Sequence, residues 1–258
     1  MIELPENPIA IQLYTVREPA RHDFPGTLRR LARGGAGAVE FAGYGGMPIE
    51  ELRALVRELG LRVVGSHIPL DVWEERTAAC LAEVKALGGA YAVVPWVPED
   101  RRRDIADARS LAASLSAWAV AARAAGLGFA YHHHAFEFDP LPDGSGATLF
   151  DILVSETDPD LVTFEIDVYW AARGGLDPAR LLRDLHGRVH LVHLKDLGEE
   201  PDRPDRPAGE GSLRWEEILP AATAAGVTWW IIEQDNPADP LADALRALRN
   251  VQMMGERG

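Results

Sequence analysis

The feature that most limits how this chain can fold is a regular alternation between short β-type runs and helical runs. The β-type runs, rich in Val, Ile, Leu and aromatic residues, are residues 9–14, 38–42, 62–67, 91–96, 127–134, 161–167, 189–196 and 227–233. The helical runs, several of which end at glycine, are residues 25–33, 48–59, 73–87, 104–125, 148–155, 178–185, 213–225 and 240–253. Such alternation predicts parallel strands with the helices outside them. Eight repeats in 258 residues therefore predict one (β/α)8 barrel over residues 1–258, and a six- or seven-stranded open sheet is the alternative.

The seventh β-type run, residues 189–196, indicates where the polar chemistry of the barrel would lie. Neighbouring residues of a strand point to opposite faces, so Leu191, His193 and Lys195 share one face, whereas His190 belongs to the other. The run is apolar at first and becomes ionisable toward its end. Because the active sites of such barrels lie at the carboxyl ends of the strands, we expect these ionisable groups to face the barrel mouth.

Almost every predicted strand ends in the same way. Its last residues are polar, ionisable or aromatic: Gln12, Glu40, His67, Trp96, His132 with His134, Glu165 with Asp167, His193 with Lys195, and Glu233. A single residue of this kind is usually structural. Many of them gathered in one barrel mouth would cost several kcal/mol each unless a cation or a substrate compensated their charges. The set therefore predicts a functional site.

The residue types of this set predict a site for one divalent metal ion. Carboxylates and imidazoles without thiolates suit Mn, Mg, Co, Zn or Fe, and we expect Mn first. Asp167, His193 and Glu233 end three successive strands and can meet on one side of the mouth. For the fourth ligand we prefer His132, with His134 contacting the substrate. Glu137 is the alternative ligand, if the chain turns back over the mouth.

Composition excludes several other classes of protein. A net charge of -14 disfavours nucleic-acid binding, because phosphates require a basic surface. The single cysteine, Cys80, excludes an intramolecular disulfide and indicates a cytoplasmic location. Residues 1–6 lack the pattern of a signal peptide, and no apolar run approaches the length of a membrane span. One of Trp229 and Trp230 must face out of the barrel, which is compatible with a homo-oligomer.

Six motifs carry a family resemblance that extends over almost the whole chain. They are QLYTVRE at 12–18, YHHHAFEF at 131–138, FEIDVYW at 164–170 with RGG at 173–175, VHLKD at 192–196, GEG at 209–211 and IIEQD at 231–235. In this order they resemble the sugar phosphate isomerase/epimerase family of xylose isomerase-like TIM barrels. The resemblance implies that a fifth-strand residue, Asp167, His193 and Glu233 hold the metal.

The sequence departs from the family pattern at one ligand position. Many relatives have Glu where this chain has His132, and in epimerases of the family that Glu also transfers protons. The departure disfavours a mechanism that uses two glutamates. It leaves Glu233 as the expected proton-transfer group, with His134 or Glu165 as its partner.

Residues and resemblance together predict a metal-dependent isomerase or epimerase that acts on a sugar, keto-sugar or inositol derivative through a metal-stabilised enediolate. Lys195 would stabilise the developing oxyanion, unless it forms a salt bridge with Asp196 or Glu210. We expect a small carbohydrate to contact the remaining polar and aromatic positions: Gln12, Glu40, His67, Trp96, Trp170 and Glu137. The chain has no Gly-rich phosphate loop of the Walker or Rossmann type, so a phosphorylated substrate is not predicted.

Three other functions remain open. The first is a lyase, dehydratase or hydrolase on the same scaffold, acting on a 3-keto-glycoside or a related keto-sugar. The second, an endonuclease for abasic DNA, would require a basic face, and the third, a non-catalytic sugar-binding barrel, would be expected to lose the metal-ligand residues. The Pro-rich, charged loop at 198–211 predicts neither helix nor strand and could cover the site as a lid.

Overall fold

A computed structural model describes residues 9–257, with the last two of these described in their backbone only. The expectation that residues 1–6 form no signal peptide lies outside the described residues. The strands are β1 Ala10–Gln12, β2 Ala38–Ala42, β3 Arg62–His67, β4 Tyr91–Val94, β5 Gly128–His132, β6 Val162–Asp167, β7 Val189–Leu194, β8 Asp196–Leu197, β9 Asp205–Arg206 and β10 Trp229–Ile232. Eight of them form a closed parallel barrel in the order β1-β2-β3-β4-β5-β6-β7-β10, which confirms the predicted barrel.

The helices surround this barrel. They are α1 Arg17–His22, α2 Phe24–Arg33, α3 Ile49–Glu58, α4 Leu70–Leu87, α5 Ile105–Ala125, α6 Leu149–Glu156, α7 Val168–Arg173, α8 Pro178–Asp184, α9 Trp215–Ala225 and α10 Pro240–Arg257. The sequence did not predict α1 or α7. Helix α1 has no buried residue and therefore no apolar period. Helix α7 follows β6 directly, and the carboxylate of Asp167 caps it by accepting from the backbone N–H of Trp170.

Several barrel strands end earlier than predicted. Strand β1 stops at Gln12, whose side chain accepts a hydrogen bond from the N–H of Tyr14 and starts a 3₁₀ turn. Strand β4 stops before Pro95, which has no N–H to donate to a neighbouring strand. Strand β5 stops at His132, so that His134 lies on the loop that follows it. The polar ends of the predicted strands are thus partly loop residues above the barrel.

The barrel interior is filled at its lower end by mainly small and aliphatic residues, including Ala10, Val64 and Leu191. The predicted alternation holds for Leu191 and His193, which face inward, and for Val192, which packs in the outer layer. It fails at His190, because the pairing of β6 with β7 shifts by one residue there. The Nδ1 atom of His190 instead lies 3.1 Å from the hydroxyl of Tyr91 at the lower end of the barrel.

Both tryptophans of β10 are buried within this chain. Trp229 packs in the interior cluster, and Trp230, which packs in the outer layer, is 1% exposed. Cys80 is buried in the same outer layer. Among the described residues, none of the helices is long and apolar enough to cross a membrane.

The loop after β7 contains more structure than its composition predicted. Its start and middle pair as the antiparallel strands β8 and β9, so the expectation of no strand is wrong for Asp205 and Arg206. Asp205 is buried and accepts a hydrogen bond from the N–H of Asn236. The hydroxyl of Tyr169 donates to the backbone oxygen of Arg203. These contacts fix the loop to the barrel top.

Candidate metal centre

Four buried side chains with metal-ligand atoms meet at the carboxyl ends of four neighbouring strands. Their ligand atoms all lie within 4.8 Å of one another, and we call them the upper cluster: His132, Asp167, His193 and Glu233. They come from β5, β6 and β7 and from the residue that follows β10, and these strands are adjacent in the barrel. The structure thus brings together the four residues that the sequence suggested as ligands.

A second group of ionisable side chains adjoins the upper cluster, and we call it the lower cluster: Glu40, Glu165 and the partly exposed His67. The Nε2 atom of His67 is 2.7 Å from Oε2 of Glu165 and 3.4 Å from Oε2 of Glu40. Gln12 completes this layer, because its Nε2 donates to Oε2 of Glu40 at 2.8 Å. Both carboxylates are fully buried.

The ring of His193 connects the two clusters. Its Nδ1 atom is 3.0 Å from Oε2 of Glu233, and its Nε2 atom is 2.9 Å from Oε2 of Glu40 and 3.2 Å from Oε2 of Glu165. The Nδ1 atom of His132 likewise lies 3.1 Å from Oε2 of Glu165. A carboxylate behind a ring nitrogen orients the imidazole and leaves its other nitrogen available as a ligand.

Lys195 belongs to the same site. Its Nζ atom lies 2.7 Å from Oε2 of Glu233, 2.6 Å from Oδ2 of Asp235 and 3.0 Å from Oδ2 of Asp167. The alternative that it pairs with Asp196 or Glu210 is wrong. Asp196 accepts hydrogen bonds from the loop and from Trp215, and Glu210 pairs with Arg246.

The balance of charges fits a bound cation. Five carboxylates lie in or beside the two clusters, against one permanently charged side chain, that of Lys195: Glu40, Glu165, Asp167, Glu233 and Asp235. The Oε1 atoms of Glu40 and Glu165 are buried and have no hydrogen-bond partner. Buried negative charge of this density must be compensated by protons or by a cation.

The surroundings set the protonation of the groups above the clusters. Burial, helped by the charge of Lys195, lowers the pKa of His134 to about 3, so its ring is neutral at pH 7. Burial raises the pKa of Asp167 to about 6, although Lys195 opposes this shift. Burial also opposes ionisation of Glu233, but the charges of Lys195 and His193 outweigh it and hold the pKa of Glu233 well below its usual value.

Glu137, the alternative ligand, lies outside both clusters. Its Oε1 atom accepts from the hydroxyl of Tyr131 at 2.9 Å, and its Oε2 atom accepts from the backbone N–H of His134 at 2.8 Å. Burial raises the pKa of Glu137 to about 7. Glu137 therefore holds the turn after β5 in place, and the structure brings His132 to the candidate ligands.

A cavity of about 790 Å³ opens above the upper cluster. Of the expected substrate-contact and catalytic residues, four line it: His67, Trp96, His134 and Glu233. Gln12, Glu40 and Glu165 are fully buried and pair within the lower layer. Trp170 packs against the ring of His134, with 5.3 Å between ring centroids.

Sequence reasoning missed several residues that line the cavity, among them Tyr14, Tyr44 and Asp235. Asp235 carried a usable signal, because it lies two positions after Glu233 and ends the motif IIEQD at 231–235. Tyr14 and Tyr44 lie outside the strands, in a 3₁₀ turn and a glycine-rich loop, where no periodicity predicts the direction of a side chain.

Fold and site together define a TIM barrel with a candidate metal centre at the carboxyl ends of its strands. The family model for the xylose isomerase-like TIM barrel matches residues 28–251. The chain belongs to this family. No curated protein sequence matches it.

Solved structures with the same fold include sugar-processing proteins. A sugar phosphate isomerase/epimerase from Parabacteroides distasonis ATCC 8503 has a TM-score of 0.81 at 23% identity, over 95% of this chain and 97% of its own. Another sugar phosphate isomerase/epimerase from the same organism has a TM-score of 0.79 at 21% identity, and the match covers 98% of this chain and 96% of that one. The IOLI protein, solved with a zinc atom, has a TM-score of 0.75 at 12% identity, and the match covers 97% of this chain and 99% of that one. At sequence identities this low, the structural similarity shows a shared fold and nothing further about function.

Proposed function

We propose that this protein is a metal-dependent isomerase or epimerase that acts on a sugar, keto-sugar or inositol derivative. The observation that carries the proposal is the upper cluster at the floor of a cavity large enough for a carbohydrate. The family and the two solved isomerase/epimerase structures support a carbohydrate substrate. From its single, unpaired cysteine we also propose a cytoplasmic location.

One divalent ion would be held by the two imidazoles and two carboxylates of the upper cluster. We propose manganese, with magnesium, cobalt, zinc and iron as the alternatives that accept these ligands. His193 would use Nδ1 toward the ion, since its Nε2 lies against Glu40. When bound, the ion would polarise a substrate carbonyl and stabilise the negative charge that forms as a neighbouring C–H proton leaves.

Glu233 is the proposed base for that proton. It lines the cavity, and the charges of Lys195 and His193 keep it ionised despite its burial. The ammonium group of Lys195 lies 2.7 Å from the Glu233 carboxylate and stabilises its ionised form. Lys195 is fully buried and is not among the residues that line the cavity, so its role toward a developing oxyanion stays a prediction.

His134 is the proposed second polar group of the reaction. It follows β5 and faces the cavity, whereas Glu233 follows β10, three positions away in the eight-stranded ring. The two side chains therefore approach a substrate from different sides of the mouth. The neutral ring of His134 can bind a hydroxyl or relay a proton. Glu165, the other candidate, lies in the lower cluster, so we assign it a positioning role.

A second candidate function is a lyase, dehydratase or hydrolase acting on a 3-keto-glycoside or related keto-sugar. It begins with the same proton abstraction and ends with loss of a substituent from the carbon next to the carbanion. The cavity volume of about 790 Å³ supports this candidate, because a glycoside with its substituent would fill more of the cavity than a free monosaccharide.

Elemental analysis and isotope exchange test the proposal together. We expect about one divalent ion per chain in the wild type and loss of the ion in His193→Ala and Asp167→Ala. With keto-sugars in D₂O, the manganese-loaded enzyme should introduce deuterium next to the carbonyl, and Glu233→Gln should not. Release of a substituent along with exchange would favour the lyase or hydrolase. A wild type that rejects every added ion would refute the metal mechanism.

A further inference from the structure

The cavity above the upper cluster is larger than a free monosaccharide needs. Its volume is about 790 Å³, near the upper part of the range of about 300–1,000 Å³ that is usual for drug-sized ligands. Its ionisable floor contains His67, His134, Glu233 and Asp235, beside the candidate ligand His132. A carbohydrate bound at this floor would leave much of the remaining volume unfilled.

The walls away from this floor are mainly apolar and aromatic: Tyr14, Tyr44, Ile68, Val72, Pro95 and Trp96. Tyr14 is 42% and Trp96 48% exposed, and they are two of the five large hydrophobic side chains that are exposed among the described residues. Single exposed hydrophobic residues scattered over a surface are normal, whereas exposed aromatic residues that line one cavity together indicate a surface for a ligand.

Helix α4 forms the far wall of the cavity. Its lining residues are Val72, Arg76, Cys80 and Glu83, and the backbone at Arg76 is non-helical (φ -147°, ψ 39°), so the helix is kinked between Val72 and Cys80. Arg76 and Glu83 form an ion pair with each other, so their charges are already compensated. This wall therefore suits an uncharged group better than an anion.

We propose that the substrate is a carbohydrate that carries an aromatic substituent, such as an aryl glycoside or its keto form. The carbohydrate part lies over the upper cluster, and the aromatic ring lies between Tyr44, Val72 and Trp96. This inference rests on the proposed carbohydrate function and narrows it to a substrate class. It follows from the aromatic and aliphatic side chains of the walls, which offer a ring a large contact area, and from the pairing of Arg76 with Glu83.

Matched glycosides test the proposal directly. Dissociation constants are measured by titration calorimetry for the methyl and phenyl glycosides of glucose, galactose, mannose and xylose, with manganese-loaded and with EDTA-treated protein. For at least one sugar, the phenyl glycoside should bind about tenfold to a hundredfold more tightly than the methyl glycoside. Equal affinities in every pair, or no binding of any phenyl glycoside, would overturn the inference.

Two valine variants locate the binding of the ring. Val72→Gln should reduce the phenyl preference to nearly one, whereas Val120→Gln, at an exposed position on α5, should leave it unchanged. Circular dichroism would show that both variants are folded. A phenyl preference that survives Val72→Gln together with Trp96→Ala would contradict the assigned wall.

The remaining outcomes separate the substrate class from the reaction. Tighter binding of glucose 6-phosphate than of phenyl glucoside, lost in Arg76→Gln, would assign the far wall to a phosphate and overturn the inference. Deuterium exchange into free keto-sugars without a phenyl preference would overturn the inference and leave the proposed function standing. A phenyl preference in a protein that binds no metal would support the substrate class and contradict the metal mechanism.

Discussion

The Oε2 atom of Glu40 lies 2.9 Å from Nε2 of His193, so a carboxylate from β2 supports an imidazole from β7 across the barrel interior. Glu165 Oε2 has a similar relationship to His132, at 3.1 Å from Nδ1. His67 lies between the two carboxylates. Each candidate imidazole ligand therefore has a buried carboxylate behind it.

The lower carboxylates should control metal affinity. We expect Glu40→Gln and Glu165→Gln each to raise the dissociation constant for manganese about 10- to 100-fold, because the supported imidazole loses its orienting charge. Metal titration of the EDTA-treated protein measures this directly. Glu216→Gln, at an exposed position on α9, is the control. Unchanged affinity in both lower variants would show that the lower cluster serves packing alone.

Lys195 should stabilise the metal-free protein more than the loaded one. Without an ion it is the permanent cation that contacts Asp167, Glu233 and Asp235. We expect Lys195→Met to lower the free energy of unfolding of the metal-free protein by about 3–5 kcal/mol. Manganese should reduce that loss, since the ion compensates the same carboxylates.

Urea denaturation with and without manganese measures the effect of Lys195→Met. The control is Lys85→Met, because Lys85 is the other lysine of the chain and is exposed. Its effect should stay within about 1 kcal/mol in both conditions. If Lys195→Met lowers the free energy of unfolding equally with and without manganese, Lys195 and the ion do not compensate the same carboxylates.

Glu137 should make the stability of the fold depend on pH. Burial raises the pKa of Glu137 from 4.5 to about 7, so the folded state binds a proton more tightly than the unfolded state does. Its contribution is then fully present below about pH 4.5 and is lost as the pH rises through 7. As the pH rises from about 4.5 to 7, the free energy of unfolding of the wild type should therefore fall relative to that of Glu137→Gln, by at most about 1.4 kcal/mol per pH unit.

Denaturation of the metal-free wild type and of Glu137→Gln at pH 5, 6, 7 and 8 measures this slope. The difference between the two proteins should level off above about pH 7, where the carboxyl group has lost its proton in both states. Parallel profiles over the whole range would mean that Glu137 is ionised throughout and that its two hydrogen bonds offset its burial.

Asp196 should be essential for the loop beside the site. Its Oδ1 accepts from the N–H groups of Leu197 and Leu213, and its Oδ2 accepts from Gly209 N–H and from Trp215 Nε1. We expect Asp196→Asn to cost about 3–5 kcal/mol, because an amide nitrogen cannot accept and would face two donors. Thermal and urea denaturation measure the cost. Asp202→Asn, on the exposed part of the loop, should change stability by less than about 0.5 kcal/mol.

The strand order and the candidate ligands could be predicted from local patterns. Strands β2, AVEFA, and β3, RVVGSH, have the predicted bounds, because short runs with β-branched or aromatic residues between Gly- and Pro-containing segments indicate strands. Asp167, His193 and Glu233 were identified because the carboxyl ends of parallel strands must meet at one mouth. These features depend on residue type and on spacing within a few positions of the chain.

The layering of the site could not be predicted in the same way. Glu165 and Asp167 share one face of β6 two positions apart and so lie at successive depths, but the sequence does not show which residues of the other strands lie at each depth. The depth of each side chain depends on strand tilt and register, which shift at Phe164/Glu165 and at Val39/Phe41. Tyr44 and Trp96 reach the cavity from loops, where the sequence has no period.

The amino-acid sequence by itself determined the alternation of strands and helices and the residue types at the strand ends, and it favoured a closed barrel over an open sheet, since these features depend on local hydrophobic period and on strand-end position. Only the tertiary structure decided that His193 joins two clusters, that Lys195 faces Glu233 rather than Asp196, and that Glu137 holds a turn. Those contacts join residues from strands and loops on different sides of the barrel. Their geometry follows from register, tilt and packing of the whole ring.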